Sequence, residues 1–527
     1  MHLVMKNIRY IAFLLFLAIA GCESITQDES FQPRTIATPA DADAATWTLI
    51  PGAGLTTIDQ ISVAAPDAVS SDAYKLELET IRNKQKYITD QQKDAIRYWN
   101  SGGILRWNQF MRKLVARFAL APAPAADNSY PIPDSENPFG DPTFPFSNPP
   151  YSARAYSYVS VAQYQALQAA WHYKYLYNRP APSVNDAGII SLAPTSELPA
   201  YPSEDAVMSA VTAELLKVLF PTALEEITKM AAEQRESAIL SGKASITDVS
   251  AGLALGKSIA ALFTARAAGD GMKNAVGTPA KWAVLEDSAK LHRTKLGLDN
   301  TNEIFWKSQD NPARPPMLPF FGNVKGWILS AADFNALRPG PPPSTSSAEM
   351  KTDLDEVLYY SEHATRDRLA IVHFWADGTG TYTPPGHWND IAANYIYEAD
   401  WSEVRTARAF ALLNMALHNA AVGCWNTKFY YYNPRPSQLN PKVKTLTGLP
   451  NFPAYPSGHS TFSASGANVL SYLFPQAATK FNALAEEASV SRLYGAIHYR
   501  ADIETGMTHG QALAGPLVQF AVGDGAD

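Results

Sequence analysis

Two stretches decide the reading of this chain: Leu198-Pro199-Ala200-Tyr201-Pro202-Ser203 and Phe452-Pro453-Ala454-Tyr455-Pro456-Ser457. They lie 254 positions apart (457 − 203), and the same offset holds on either side of them. It joins Ala153-Arg154-Ala155-Tyr156 to Ala407-Arg408-Ala409-Phe410, and Trp171 and Lys174 to Trp425 and Lys428. It joins Leu219-Phe220-Pro221 to Leu473-Phe474-Pro475, and Ser237, Asp248, Gly252 and Gly256 to Ser491, Asp502, Gly506 and Gly510. One offset held without gaps at these positions over about 100 residues reads as an internal duplication.

Helical periodicity marks 72–98, 153–177, 203–218, 223–241 and 246–268, then 347–375, 386–398, 402–425, 458–473 and 477–495. Strand-like alternation is scarce. The expected fold is all-α: two related helical bundles. Ser203 and Ser457 each follow a proline and precede an apolar run, as helix N-caps do. The Pro-rich stretches 121–150 and 311–343 read as long loops laid over the bundles. The layout expected is a leader over 1–21, a tether over 22–65, and an N-terminal repeat over 66–275. A Pro-rich connecting region follows over 276–346, and a C-terminal catalytic repeat over 347–527.

The two copies differ at the positions that carry chemistry. Arg435 faces Ala181, Gly458 faces Glu204, His459 faces Asp205, Arg492 faces Ala238 and His498 faces Ala244. The first copy keeps apolar and turn positions and lacks these two arginines and two histidines. One active site is expected, in the C-terminal bundle.

On their chemistry alone the residues of that copy describe an anion site. Lys428, Arg435 and Arg492 bring three positive charges, and the arginine forks match tetrahedral oxyanions. Ser457-Gly458 opens a helix, where free N–H groups favour an anion, and Gly458 allows close approach. His459 and His498 supply reactive nitrogens. Asp502, four residues after His498, can accept from one imidazole nitrogen and leave the other free.

In this order and spacing the residues resemble the three-part signature of the type 2 phosphatidic acid phosphatase (PAP2) / vanadium haloperoxidase superfamily, over roughly Arg408 to Gly510. The resemblance implies that Lys428, Arg435, Ser457, Gly458 and Arg492 hold the oxygens of vanadate or phosphate. It implies that His498 is the covalent vanadium ligand, or the nucleophile of a phosphatase. His459 is then the acid/base at the apical oxygen, and Asp502 orients His498. Phe374-Trp375-Ala376-Asp377-Gly378 resembles the haloperoxidase segment whose aspartate pairs with an active-site arginine, which makes Asp377 a further site residue. Phe452 and Trp425 resemble the chloroperoxidase form of the motif and are candidates for a halide wall, although Leu198 and Trp171 hold the matching places in the first copy. No role is assigned to His363, His373, His387, His418 or His509.

The function implied is a vanadate-dependent haloperoxidase, with one vanadate per chain, that oxidises halide with hydrogen peroxide to hypohalous acid. A small organic acceptor and a homodimer are both compatible with it. An acid phosphatase working through a phosphohistidine shares the whole signature. A lipoprotein that only binds anions is the non-enzymatic alternative.

The 527 residues are 46% hydrophobic and 18% charged, with a net charge of −7, which allows a large core and argues against nucleic-acid binding. Lys6 and Arg9 precede the apolar run Ile11–Ala20, too short to cross a bilayer as a helix, so 1–21 reads as a signal peptide. Ile19-Ala20-Gly21-Cys22 resembles a bacterial lipobox, which implies lipidation of Cys22. Glu23 resembles the residue found there in lipoproteins of the outer membrane. Export to the periplasmic or outer-membrane side follows, with membrane contact only through the anchor.

Overall fold

The computed structural model describes residues 31–34, 41–130, 144–194, 196–296 and 302–526. The leader and Cys22 lie outside these residues. Every regular element among the described residues is a helix. In chain order they are α1 (Asp72–Gln85), α2 (Asp90–Trp99), α3 (Gly103–Phe118), α4 (Pro149–Tyr177), α5 (Pro182–Asn185), α6 (Glu204–Leu219), α7 (Leu224–Leu240), α8 (Ile246–Ala268) and α9 (Pro279–Lys295). Then come α10 (Ala331–Ala336), α11 (Ala348–Glu362), α12 (Arg366–Phe374), α13 (Thr383–Glu398), α14 (Glu403–Tyr431), α15 (Pro436–Leu439), α16 (Gly458–Leu473), α17 (Ala478–Tyr494) and α18 (Arg500–Val522).

The elements α4 to α8 recur as α14 to α18 at the offset seen in the sequence. α4 and α14 are 29 residues each and are buried over most of their length, so they carry no polar stripe. Asn148 and Ser402 cap their N-termini, accepting from the N–H of Tyr151 and Arg405. Both end on a left-handed residue, Asn178 (φ 49°) and Tyr432 (φ 54°), whose N–H returns to the carbonyl of Lys174 or Lys428. The two helices pack on each other. Asn414 Nδ2 donates to Ser160 Oγ at 2.9 Å, and these positions are 254 apart. Matching positions meeting at a crossing is what a two-fold relation between the helices requires.

Each long helix is tied to the end of its own unit by a buried ion pair. Arg154 Nε meets Asp270 Oδ2 at 2.6 Å and Arg408 Nε meets Asp524 Oδ2 at 2.7 Å. α6 lies against α8, and α16 against α18, at distances only glycine permits. A Cβ at Gly252 would sit 2.4 Å from the Ser203 carbonyl oxygen, and one at Gly506 would sit 2.8 Å from that of Ser457. α8 is long and apolar enough to cross a membrane by composition, but it packs on α6 and α4. The main apolar cluster draws on both units, so the halves share one core.

Ser203 and Ser457 are N-caps, as expected, accepting from the N–H of Ala206 and Ser460 at 3.3 Å. Other expectations need correction. The helix expected over 72–98 is two, because Thr89 opens α2 with its own capping box. That over 347–375 is also two, since Thr365 caps α12. α3, α9 and α18 lie outside the stretches read as helical from the sequence. α3 buries Arg106, Asn108, Gln109 and Arg112 among its apolar residues, and α18 contains Pro516. The span 22–65, read as a tether from composition, contributes to the core: Trp47, Ile50 and Leu55 are buried, and Gln165 Oε1 accepts from the N–H of Leu55 at 2.9 Å. The connecting region 276–346 holds α9 and α10 as well as loops.

Candidate active site

The site forms where three segments of the second unit converge: the end of α14, the turn into α16, and the loop from α17 into α18. Lys428 lies in the last turn of α14, fully buried. Its Nζ donates to the carbonyls of Pro453 (2.9 Å), Ala454 (2.8 Å) and Pro456 (2.5 Å). All three protons hold the Phe452–Ser457 turn against the helix.

Arg435, one step before α15, is also fully buried. Its Nε donates to Phe452 O (3.0 Å) and its Nη1 to Ile497 O (2.8 Å) and to His498 Nε2 (3.0 Å). Nη2 has no partner. Arg492 ends α17; its Nε donates to Ser491 Oγ (2.8 Å) and its Nη2 to Val372 O (3.1 Å). Among the described residues none of these three cations forms an ion pair with a carboxylate.

His498 stands just before α18. Its Nδ1–H donates to Asp502 Oδ2 at 2.9 Å, and the same oxygen accepts from the N–H of Tyr499 at 3.1 Å. Asp502 is the third residue of α18, so it fixes the imidazole and closes the helix cap with one oxygen. This assigns the neutral tautomer of His498 with Nε2 as acceptor. His459, second residue of α16, points its Nε2 toward Asp377 Oδ2 at 3.8 Å. Neither atom has a hydrogen-bond partner.

Burial governs the electrostatics. Loss of solvent pulls Lys428 well below its ordinary value, and Arg435 and Arg492 down to about 10. His498 is driven well below 6.5, first by burial and then by Arg435 and Lys428; His459 is lowered likewise by burial and Arg492. Burial pushes Asp502 up. A set of buried cations without counter-ions favours an entering anion, which would reverse these shifts.

Gly458, His459, Arg492 and His498 form one wall of a cavity of about 190 Å³. A Cβ added at Gly458 would meet nothing within 4 Å, so there is open room at the start of α16. The first unit is filled at the same point. Glu204 stands where Gly458 does, and its carboxylate meets Lys174 Nζ at 2.7 Å and Lys243 Nζ at 3.5 Å. Asp205, in the place of His459, pairs with Lys243 at 2.7 Å.

With that geometry in view, residues 408–524 match the PAP2 superfamily. The crystal structure of the first bacterial vanadium-dependent iodoperoxidase aligns with a TM-score of 0.57 and 22% identity, covering 80% of this chain and 96% of that one. The fold is of the vanadium haloperoxidase kind. Vanadium chloroperoxidase of Curvularia inaequalis is 29% identical over 205 residues, which are 30% of this chain and 33% of that protein. The match thus spans about a third of that relative's length.

Against the signature of vanadium haloperoxidases and their PAP2 relatives, the structure gathers Lys428, Arg435, Ser457, Gly458, His459, Arg492, His498 and Asp502. Two of the expected oxyanion donors are engaged elsewhere. The Ser457 hydroxyl caps α16, and Lys428 Nζ is held by three carbonyls. The Ser457 N–H is engaged as well, donating to the Asp502 carbonyl at 2.9 Å, so the turn offers an anion the N–H of Gly458 at the helix start, and Lys428 offers its charge. Asp377 is at the site, but its ion contacts are histidines, not an arginine: His387 Nδ1 at 3.0 Å on Oδ1 and His459 on Oδ2. Arg492 acts on Asp377 only through space.

His387 is the site residue that sequence reasoning missed. It is buried, stacked on Trp375 at 4.4 Å, and reaches Asp377 from the second turn of α13. Its ten-residue spacing from Asp377 spans a loop and carried no periodic signal. Trp425 and Phe452 both line the cavity, with ring centroids 4.9 Å apart. Both also have structural partners: Trp425 Nε1 donates to Met317 O, and Phe452 lies 5.0 Å from Lys428 Nζ and from the Arg435 guanidinium carbon.

The donor set fits a tetrahedral oxyanion such as vanadate. Three uncompensated cations, an unpartnered Arg435 Nη2, the open helix start at Gly458 and one imidazole oriented by a carboxylate are the features such an anion needs.

Proposed function

We propose that this protein is a vanadate-dependent haloperoxidase that oxidises halide with hydrogen peroxide to hypohalous acid. The observation that carries the reading is the contrast at one turn. The second unit leaves open room at Gly458 in a cavity lined by Arg492 and His498, with Arg435 on His498 and Lys428 buried under the turn, where the first unit carries Glu204 on Lys174. Vanadate, when bound, supplies the electrophilic oxyanion centre that activates peroxide. His498 would hold it through Nε2, with Asp502 fixing the ring. Arg435 would exchange its His498 contact for an anion oxygen. Arg492 and the N–H of Gly458 at the start of α16 would take other oxygens. His459, kept unprotonated by burial, would accept and return a proton at the oxygen facing the cavity. Trp425 and Phe452 would wall the halide. Asp377 would orient His459, with His387 behind it.

The PAP2 match also supports a second reading, an acid phosphatase. There His498 Nε2 would attack a phosphate ester and His459 would protonate the leaving group. Purified protein, incubated with orthovanadate and supplied with peroxide and iodide, bromide or chloride in turn, separates the two. Vanadate-dependent halide oxidation lost in His498→Ala supports the peroxidase. Aryl-phosphate hydrolysis inhibited by vanadate, without halide oxidation, contradicts it.

We further propose that the two units arose by duplication, within the layout of repeats given above. Export with a lipid on Cys22 is proposed on the sequence alone; the intact mass of the membrane-extracted protein tests it.

A further inference from the structure

The carboxylate that fixes His498 has a counterpart in the first unit, and the two are partnered differently. Asp248 and Asp502 are the third residues of α8 and α18. Their backbones are held alike: Asp248 O accepts from the N–H of Ser203 at 3.0 Å, and Asp502 O from that of Ser457 at 2.9 Å. One carboxylate oxygen also closes the same turn in both. Asp248 Oδ2 accepts from the N–H of Ser245 at 2.6 Å, and Asp502 Oδ2 from that of Tyr499 at 3.1 Å. In the second unit that oxygen takes His498 Nδ1 as well.

The other oxygen is where the units part. Asp248 Oδ1 is held by Arg179, whose Nε donates at 3.0 Å and whose Nη2 donates too. The guanidinium carbon lies 4.9 Å from the Tyr74 ring and 4.7 Å from the Tyr201 ring. The residue 254 positions on from Arg179 is Asn433, and the one 254 on from Ser245 is Tyr499. The backbone is kept: the Arg179 carbonyl accepts from the N–H of Ala200 at 2.8 Å, and the Asn433 carbonyl from that of Ala454 at 2.9 Å. The cation is gone. Asn433, Tyr499 and Asp502 are buried, and among the described residues Asp502 Oδ1, both ends of the Asn433 amide and the Tyr499 hydroxyl have no partner. Stability alone does not favour that exchange, because each such atom gives up water and gains no hydrogen bond. The fork of a guanidinium is the better match to a buried carboxylate.

The chemistry of His498 accounts for the exchange. A carboxylate behind a ligating imidazole fixes its tautomer and raises the basicity of the far nitrogen. A guanidinium on the same carboxylate would draw that charge to itself. The first unit has Ala244 in place of His498, so Arg179 costs it nothing there.

We propose that Asn433 and Tyr499 are positioning residues: standing where the first unit sets Arg179 and Ser245, they keep a cation off Asp502 and so commit its charge to His498. The inference rests on the reading that His498 holds vanadate through Nε2.

Restoring the first unit's residues, as N433R/Y499S, tests it. In the full chain without vanadate, carrying isotope-labelled histidine, the His498 Nδ1–H proton should resonate far downfield, as assigned by its loss in His498→Ala. It should move upfield in the double variant. Equilibrium dialysis then compares vanadate with sulfate, a tetrahedral anion held by charge and hydrogen bonds alone. An added cation by itself strengthens both. Vanadate affinity relative to sulfate should fall about 10–100-fold, the range for losing a partner behind a metal-bound histidine. Asn433→Met, of similar length without charge, should leave the ratio within about two-fold. If N433R/Y499S loses the wild-type circular dichroism, Asn433→Lys supplies a slimmer cation for the same comparison. An unmoved Nδ1–H resonance, or a ratio equal to wild type in the cationic variant, overturns the proposal. Wild type that binds no vanadate overturns the reading beneath it instead, and the resonance still decides whether Asn433 and Tyr499 act on His498.

Discussion

Glu204 and Gly458 occupy the same step of the same turn, one at the start of α6 and the other at the start of α16, and they settle opposite problems. In the N-terminal unit a buried lysine, Lys174, is neutralised from within by Glu204, and Lys243 by Glu204 and Asp205. Burial acts to raise Glu204, but the two lysines outweigh it and hold its carboxyl well below the usual range. In the C-terminal unit Lys428, Arg435 and Arg492 are just as deep and, among the described residues, form no ion pair with a carboxylate. The first arrangement is complete as a folded structure. The second is costly alone and is stabilised by whatever anion enters. What the comparison teaches is that two carboxylates at a helix start, Glu204 and Asp205, let this architecture carry its counter-ions, while Gly458 and His459 beside Arg435 and Arg492 leave one to be taken from solution.

The variant expected to act most strongly makes the second unit resemble the first at its reactive nitrogen. His498→Ala, which copies Ala244, should reduce halide oxidation by about 10³–10⁴-fold at saturating vanadate, with the circular dichroism spectrum unchanged. Next is the converse change in the first unit. Glu204→Gly strips Lys174 of its partner and should cost about 3–5 kcal/mol in denaturant unfolding. Part of that loss should return in millimolar phosphate if the opened space behaves as its counterpart does. Transplanting the N-terminal solution by Gly458→Glu should weaken oxyanion binding by about 100-fold. The thermal midpoint measured without anion should hold or rise, because the new carboxylate neutralises buried cations.

A smaller effect separates the units by pH. His418 and His509 are buried in the C-terminal unit and are held down, by desolvation, to about 3 and about 4. Positions 164 and 255, their equivalents, are Tyr and Leu. The unfolded chain protonates histidine near pH 6.5, so below that pH it binds protons that the fold does not. This stability is fully present above pH 6.5 and is lost as the pH falls toward 4, by about 1.4 kcal/mol per pH unit for each histidine. Asp502, pushed up by burial, opposes part of the fall. Unfolding followed at pH 7.5, 6 and 5 should show this loss; a flat profile would contradict it. Smallest of all, His387→Phe keeps the stack on Trp375 and removes the contact to Asp377. It should lower turnover about ten-fold while leaving vanadate affinity within two-fold, since His387 acts through Asp377 on His459.

The fold and the site were legible to different depths. The offset of 254 reproduced the element boundaries because turns and glycines at fixed places, such as Gly252 and Gly506, are demanded by backbone contact and leave a sequence mark. The anion residues were legible because their types and order are unusual together. Donor geometry was not: nothing in the sequence tells that Lys428 spends its protons on the carbonyls of Pro453, Ala454 and Pro456, or that Arg435 covers His498 Nε2. Nor could it place His387, which reaches Asp377 only through a loop whose path depends on packing against Trp375. The span from residue 41 read as a tether because its composition is polar, while scattered apolar side chains, among them Trp47, Ile50 and Leu55, anchor it to the core.

The central claim is that only the C-terminal unit takes a tetrahedral oxyanion, because the N-terminal one carries Glu204. Equilibrium dialysis of the full chain against micromolar orthovanadate, with vanadium counted by elemental analysis, tests it directly. The account predicts one vanadium per chain, displaced by phosphate and absent in Gly458→Glu. Two per chain, none in the wild type, or one retained in Gly458→Glu would contradict it.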